Sequence, residues 1–518
     1  MDRLTYGKQD RTMVEYLNKS QKKINELVDE INDIDNKVIN EVQNKIEDGT
    51  INNIIENEVS EKVEEINIEL NKLNENIVNV NDNLENTENT LENNINTLEN
   101  ETNDKIEILK NNEIWVNNPP NNLDKIEFNG TDESDKLQSI INHIVSLGGG
   151  TIRIPKGVIT LEKPIELPLG SHTINIIGEN SDVYNGTIFL SKHNGTILNI
   201  EGYNHTIKNI SFRNSIGTGA RGADSVGIGI YILPSENEQD CDNLLIENCT
   251  FFRLQYGILN KSQNIKINNN MFSYIKSSCF QSIGKTTTTE TGNEGQDYSN
   301  RDIVITNNRF HACKGNAIQF NFKQYHKEVL IANNLIDDVA TGIIGMLIRS
   351  TISNNVMGRI RENGIYIDND RNVETITISN NTIVGISGFN DGTVSLPPTN
   401  SLVYEVGSGI AISSRNASIV GNSISYKNGC GILINQYSEY TTVLGNTLID
   451  CGNYNTNEYS AINILSDIVL VQGNVVRRTT NTGKHLYSLR TNGKSSVIGD
   501  NTNNILGTCA SGTPYYTS

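Results

Sequence analysis

Only nine prolines and one tryptophan punctuate the 518 residues of this chain, and aromatic side chains make up just 6% of it, too few for a core built mainly on large rings. Positive charge is scarce as well: 42 Lys and Arg stand against 61 Asp and Glu, a formal net charge of −19. With no basic stripe to neutralise phosphates, the composition argues against a nucleic-acid partner. No apolar run is long enough to span a bilayer, and the first residues lack a positive start leading into an apolar stretch. Neither membrane insertion nor a secretory signal is therefore expected. The seven cysteines are an odd number, and none forms a CxxC pair or stands with histidine at zinc spacing. Cys249, Cys279 and Cys430 fall in or beside apolar phrases, where a reduced thiol packs as a small hydrophobe. There is no phosphate-binding glycine loop and no Ser-His-Asp arrangement, and no cofactor or metal is expected.

From about residue 12 to about residue 112 glycine is missing but for Gly49, and proline is missing altogether. Within this stretch Val59, Val63, Ile66, Leu70, Leu73, Ile77, Val80 and Leu84 alternate spacings of four and three, and Leu91 and Leu98 continue by sevens. A narrow apolar seam on an otherwise polar helix requires partner chains, and β-branched residues at both seam positions favour three strands. Ile24, Leu27, Ile31, Ile34 and Val38 form an earlier piece, interrupted near Gly49. Residues 12–112 thus read as a coiled-coil stalk, residues 1–11 as a separate N-terminal segment, and residues 113–127, with Pro119 and Pro120, as a linker.

Beyond residue 207 asparagine recurs in fixed phase with Ile and Val. The phrase is Ile305-Thr-Asn-Asn-Arg-Phe310, then Ile331 to Ile336, Ile352 to Met357 and Ile378 to Ile383. From Ile419 onward glycine replaces the first asparagine. The second asparagine falls at 270, 308, 334, 355, 381, 422, 446, 474 and 501. Spacings of 21 to 26 residues over the regular copies are too short for a propeller blade and suit one turn of a β-solenoid. A second strand precedes each phrase, as in Gly364-Ile-Tyr-Ile367 and Gly409-Ile-Ala-Ile412, with its two isoleucines on one face. Asparagine tolerates a left-handed backbone and bonds its own main chain, so it suits a corner, and stacked corners would form an amide ladder.

Between the linker and the repeat, Leu137, Ile140, Ile141, Ile144 and Val145 have helical spacing, with Thr131 or Asp132 placed to cap the start and Gly148 the end. Residues 128–157 would cover the open end of the solenoid, which then runs over residues 158–508 with a tail at 509–518. Asp132, Asp135, Ile140, Ile141, Gly149, Gly150, Thr151, Pro155 and Gly157 resemble the capping segment of the pectate lyase-like right-handed β-helix superfamily. The resemblance covers about residues 123 to 508. It implies a mainly β fold, a right-handed parallel β-helix here preceded by an N-terminal α-helical trimeric coiled coil. A trimeric helix feeding a β-helix is similar to bacteriophage tailspikes and neck or tail appendages. That likeness implies a homotrimer made in the host cytoplasm and carried on the virion. It would attach to other virion proteins through its N-terminus and act on a host cell-wall glycan, teichoic acid or capsule.

The superfamily includes lyases, hydrolases, epimerases and inactive binders, so activity must be sought in particular residues. Aligning on Gly364 places Asp368 and Asp370 in the columns of Asn321 and Lys323, and of Ser413 and Arg415 on the following turn. Tyr366 offers a ring nearby, and Arg349 and Arg371 share a column. Two carboxylates amid cations and a ring are the equipment of a glycosidase, while a base beside an acidic sugar favours β-elimination. The competing reading is a solvated, mutually paired face. Long insertions at 215–225, 285–300 and 387–406 interrupt the repeat, and the last brings Asp391 and Glu405 as alternative second carboxylates. His311, His326 and His485 read as surface residues, and Asp337 and Asp338 as a polar corner more than a calcium site.

Overall fold

In a computed structural model, the chain divides into two compact units, Met1–Lys105 and Ile106–Ser518. The described residues are 3–47, 55–111, 113–120, 122–168, 173–216, 219–233, 243–283, 298–322, 325–368, 375–385, 407–427, 429–452, 459–479, 486–491, 505–506 and 515–517. Two long helices, α1 (Arg3–Glu47) and α2 (Ile55–Asn111), occupy the stalk, and α1 begins well before residue 12. Within the single chain the seam from Val63 to Leu98 stays open, its residues 37% to 50% exposed. A polar helix with one bare apolar stripe gains little from its own chain.

The second unit is a parallel β-helix. Three sheets of thirteen described strands each run along it, every neighbouring pair parallel and one turn apart. In a regular turn a strand of sheet A (such as Ile303–Thr306) is followed by one of sheet B (Arg309–His311) and one of sheet C (Asn316–Phe320). The asparagine phrase is thus two strands meeting at a corner. The stretch expected as a linker is not one: Glu113–Trp115 is the first strand of sheet A, paired with Thr151–Arg153. Ile114, Val116 and Ile126 are buried beside it. Helix α3 (Ser134–Ser146) turns Leu137, Ile140, Ile141 and Ile144 into the core, as their spacing predicts. Asp132 Oδ1 accepts the Ser134 and Glu162 N–H groups, tying the helix start to the first turn.

The corner between sheets A and B divides its two asparagines by role. The first is left-handed, with φ of 60° at Asn307, 59° at Asn333 and 56° at Asn354 and Asn380. Glycine at 421, 445 and 473 keeps that geometry at 63° to 68°. The second is buried and forms the ladder. Asn334 donates both its N–H and Nδ2 to Asn355 Oδ1, at 3.0 and 2.9 Å, and Nδ2 also donates to Ile305 O at 2.9 Å. Its own Oδ1 accepts the same two groups of Asn308. The links continue through Asn270, Asn308, Asn334, Asn355, Asn381, Asn422, Asn446 and Asn474.

Inside sheet B a column of rings stacks along the axis: Phe212–Phe251 at 5.2 Å, Phe251–Phe272 at 4.7 Å and Phe272–Phe310 at 4.9 Å. Ile336, Met357 and Ile383 extend it with aliphatic residues. The glycine of the Gly-Ile-x-Ile phrase is required by this packing. A Cβ at Gly364 would lie 2.5 Å from Gly409 O and 2.6 Å from Ile383 Cγ2.

Asn355→Ala removes the acceptor of two buried donors and should cost about 3 kcal/mol or more, because unpaired buried groups retain their full desolvation penalty. Asn354→Gly, at the left-handed position that glycine already fills two turns later, should stay within about 0.5 kcal/mol of the parent. Thermal or denaturant unfolding of the two variants measures the contrast.

Candidate functional site

Sheet C presents the face on which the sequence places its carboxylates. Its registers pair Asp368 with Ser413, and Ile365 with Ile343 and Ile410, so the alignment on Gly364 holds where the residues are described. Asp368 closes strand Ile365–Asp368 half-buried, and Asn435 Nδ2 donates to Ser413 Oγ at 3.0 Å one turn further on. Tyr366 does not offer its ring to solvent. It is 5% exposed and packs with Ile344, Ala411, Cys430 and Leu433 in a second apolar cluster, with Phe322, Tyr459 and Leu465 against it. Arg415 Nη2 pairs with Glu439 Oε2 at 2.9 Å, and Arg349 Nη1 lies 3.9 Å from Glu328 Oε1. Lys323, Asp370, Arg371, Asp391 and Glu405 lie outside the described residues.

A second charged cluster lies at the corner between sheets B and C. Asp338 is held by Arg221 Nε at 3.0 Å and Arg361 Nη1 at 2.8 Å. Arg361 also donates to Cys313 O and Lys314 O, and Asp337 binds Arg359 and, at 3.2 Å, His311 Nδ1. Arg221 belongs to the first insertion, whose backbone lies so close to the helix that a Cβ at Gly222 would meet Tyr274 O at 1.9 Å. The insertion is therefore a strap fastened to Asp338 more than a hundred residues later in sequence. Sequence reasoning missed this pairing because only vertical stacking brings 221, 338 and 361 together. The polar-corner reading of Asp337 and Asp338 holds, each carboxylate being matched by arginine.

Four described carboxylates, Asp132, Asp182, Glu247 and Asp337, are shifted downward. The Arg359 guanidinium beside Asp337, the Lys208 and Asn268 groups on Glu247, and the backbone N–H groups of Tyr184 and Asn185 on Asp182 hold them ionised. At Asp132 burial pulls upward, but hydrogen bonds from Ser134 and Glu162 outweigh it. A glycosidase general acid needs the opposite displacement. None of these four carboxylates carries it.

His326 is not a surface residue. It is fully buried, its ring 4.9 Å from Phe320, with Nδ1 3.4 Å from Ser282 Oγ. Asn260 and Asn300 donate to the same hydroxyl, which makes a polar pocket inside an apolar helix. His311 is half-buried in the corner cluster, and His485 lies outside the described residues.

Three parallel sheets, a buried asparagine ladder and a capping helix define the right-handed parallel β-helix class, in agreement with the pectate lyase-like resemblance. No protein-family model matches the chain, and no curated protein is similar to it. Among solved structures it is similar to the DFA-IIIase of Arthrobacter chlorophenolicus A6, at 14% identity and a TM-score of 0.51, over 77% of this chain and 97% of that one. The Dettilon tailspike protein matches at 13% identity and a TM-score of 0.41, over 79% and 68%. The A-module of the Azotobacter vinelandii mannuronan C-5 epimerase AlgE4 matches at 12% and 0.43, over 75% and 94%. At these identities the likeness is one of fold.

Burial pushes the His326 imidazole down to about 3. The unfolded chain takes up this proton near pH 6.5 and the folded one does not. The stability that the neutral ring contributes is therefore complete above pH 6.5 and is lost as pH falls from there toward 3. His326→Gln should flatten the acid limb of a stability-against-pH curve by up to about 1.4 kcal/mol per pH unit.

Proposed function

We propose that the chain is the subunit of a homotrimeric bacteriophage tail or neck appendage that binds a host cell-surface polysaccharide, teichoic acid or capsule, and shortens it. In this reading the helices trimerise the protein, and residues 1–11 attach it to other virion proteins. The β-helix presents the polymer site on the outer face of sheet C around Asp368, with Asp370, Asp391 and Glu405 as the further carboxylates. Lys323, Arg349, Arg371 and Arg415 would line the path of the polymer.

One observation carries the reading: an open heptad seam on two long helices precedes, in the sequence, a shaft of parallel strands. The seam leaves apolar side chains bare that only further chains can cover. The shaft offers straight outward columns along which a linear polymer can lie. A non-catalytic adhesin of the same build is favoured by a separate observation, the pairing of two of the candidate cations, Arg415 with Glu439 and Arg349 with Glu328.

Sedimentation equilibrium should give about three times the chain mass of 57.4 kDa, and Leu73→Asp with Ile77→Asp should reduce it to the single-chain mass. A chain that stays monomeric without substitution would remove the appendage reading. Incubation with purified cell-wall glycans, followed by chain length, separates the two activities. Shortening that falls at least tenfold in Asp368→Asn marks a depolymerase, and retention without shortening marks an adhesin.

A further inference from the structure

The outer face of sheet B, near the capped end, carries a cluster that neither the carboxylate column nor the corner network includes. Arg213, Phe252 and Ser273 occupy one outward column on three successive turns. The Arg213 guanidinium carbon lies 5.6 Å from the Phe252 ring centre and 5.8 Å from that of Tyr184, and the Arg253 guanidinium lies 5.2 Å over Phe252. Tyr274 meets Phe252 edge-on at 5.4 Å. Tyr184 is 75% exposed and Tyr274 37% exposed, so the shelf ends in two open rings.

Two walls flank this floor. On one side the loop of residues 179–186 is folded by Asp182, whose Oδ1 accepts the Tyr184 and Asn185 N–H groups at 2.8 Å and so holds Tyr184 out over the sheet. On the other side stands the first insertion, fastened over Tyr274. Beside the shelf lies a cavity of about 560 Å³ lined by Asn180, Ser181, Asp182, Asn185, Thr250 and Asn269, among others. Thr250 and Phe252 are two residues apart on one strand and share its outward face, which sets cavity and shelf side by side as the two parts of a trough.

The charge in the trough runs against that of the chain. The protein is acidic overall, yet Arg213 and Arg253 form no ion pair with a described carboxylate. Arg213 donates through Nη1 to Val183 O at 3.3 Å, and its enclosed Nε has no partner among the described residues. A guanidinium without a carboxylate partner is a fork for one. Open tyrosine rings stack on the apolar face of a sugar, and asparagine, serine and threonine side chains bond its hydroxyls. Each element selects a different part of one ligand.

We propose that this trough is a binding site for an acidic saccharide, a sugar ring bearing a carboxylate, separate from the sheet C face and nearer the capped end. The proposal rests on the glycan-binding reading above and names a chemical class for it. In the bound state the carboxylate meets the guanidinium groups of Arg213 and Arg253, the ring lies against Tyr184 or Tyr274, and the hydroxyls reach into the asparagine-lined cavity.

The test is calorimetric titration of the full chain with a panel of uronate oligosaccharides of differing stereochemistry, their carboxyl-reduced neutral counterparts, and inorganic phosphate. At least one uronate should bind, its neutral counterpart at least tenfold more weakly, and phosphate alone more weakly still. Arg213→Gln and Tyr184→Ala should each weaken the uronate at least tenfold, and Arg213→Lys, which keeps the charge but loses the fork, should weaken it less than Arg213→Gln. Lys208→Gln, which removes a cation from sheet A, should leave the affinity within twofold, with unchanged melting temperatures certifying each fold. Equal binding of uronate and neutral sugar, or affinity indifferent to Arg213→Gln, overturns the proposal while leaving a glycan-binding protein. Binding of no saccharide in this panel, together with no retention on cell-wall glycans, overturns both readings.

Discussion

The β-helix depends on the hydrogen bonding of one buried carboxamide per turn. Each ladder asparagine spends its side-chain N–H groups on the next asparagine and on a carbonyl of the turn before, and offers its oxygen to two donors below. A carboxamide held this way leaves nothing unsatisfied in an apolar interior, where an unpaired polar group is costly. It also resets the register. Asn381 and Asn422 are 41 residues apart because of the largest insertion, yet their two bonds measure 2.9 and 3.0 Å, the same as between turns with no insertion. Whatever the intervening chain does, the next turn begins at the same height.

That regularity explains why so much of the shaft was legible in the sequence. The left-handed first asparagine, its replacement by glycine, the buried second asparagine and the close-packed glycine of sheet C all repeat in phase, and phase is visible in one dimension. Other features depend on contacts across turns. Glu113–Trp115 is too short to announce a strand beside Pro119 and Pro120, and only its docking on Thr151–Arg153 makes it one. Tyr366 reads as outward by alternation, which is correct, but alternation does not reveal the apolar residues that cover it. His326 lies outside the three long sheets, on a short strand in register with Ser299 and Leu347, and it meets Ser282 of sheet C only through the turn-to-turn stacking. The arginine–aromatic trough escaped notice because Arg213 and Phe252 are separated by a long stretch of sequence. The signal was present: the residue after each inward phenylalanine, at 213, 252 and 273, belongs to one outward column.

Charge on the surface is organised by turn neighbours more than by the total. Lys208 with Glu247, Arg359 with Asp337, and Arg361 and Arg221 with Asp338 are matched across turns, so most of the described acidity is either paired or exposed on the stalk. Pairs of this kind fix side chains and straps in place while adding little net stability when exposed. Against this background two arginines beside rings, with Asp182 as the one carboxylate among the described lining of the adjoining cavity, form a local reversal of sign, and a reversal of sign on an acidic protein concentrates anions where the bulk field repels them.

The corner between sheets B and C follows a different rule from the asparagine corner. Its left-handed position is filled by Arg253, Tyr274, Ala312, Asp338, Arg359, Tyr426 and Asp450, with φ between 50° and 58°. Such residues pay roughly 1 kcal/mol each for a conformation that glycine adopts freely. No ladder runs through this corner, and its side chains are tied by individual pairs across turns, such as Arg359 with Asp337 and Arg361 with Asp338, in place of one repeated contact. Exchanging one residue at this corner therefore disturbs its own pair alone, while the asparagine rail opposite keeps the register of every turn. The two edges of the same sheet differ in how far a single substitution spreads.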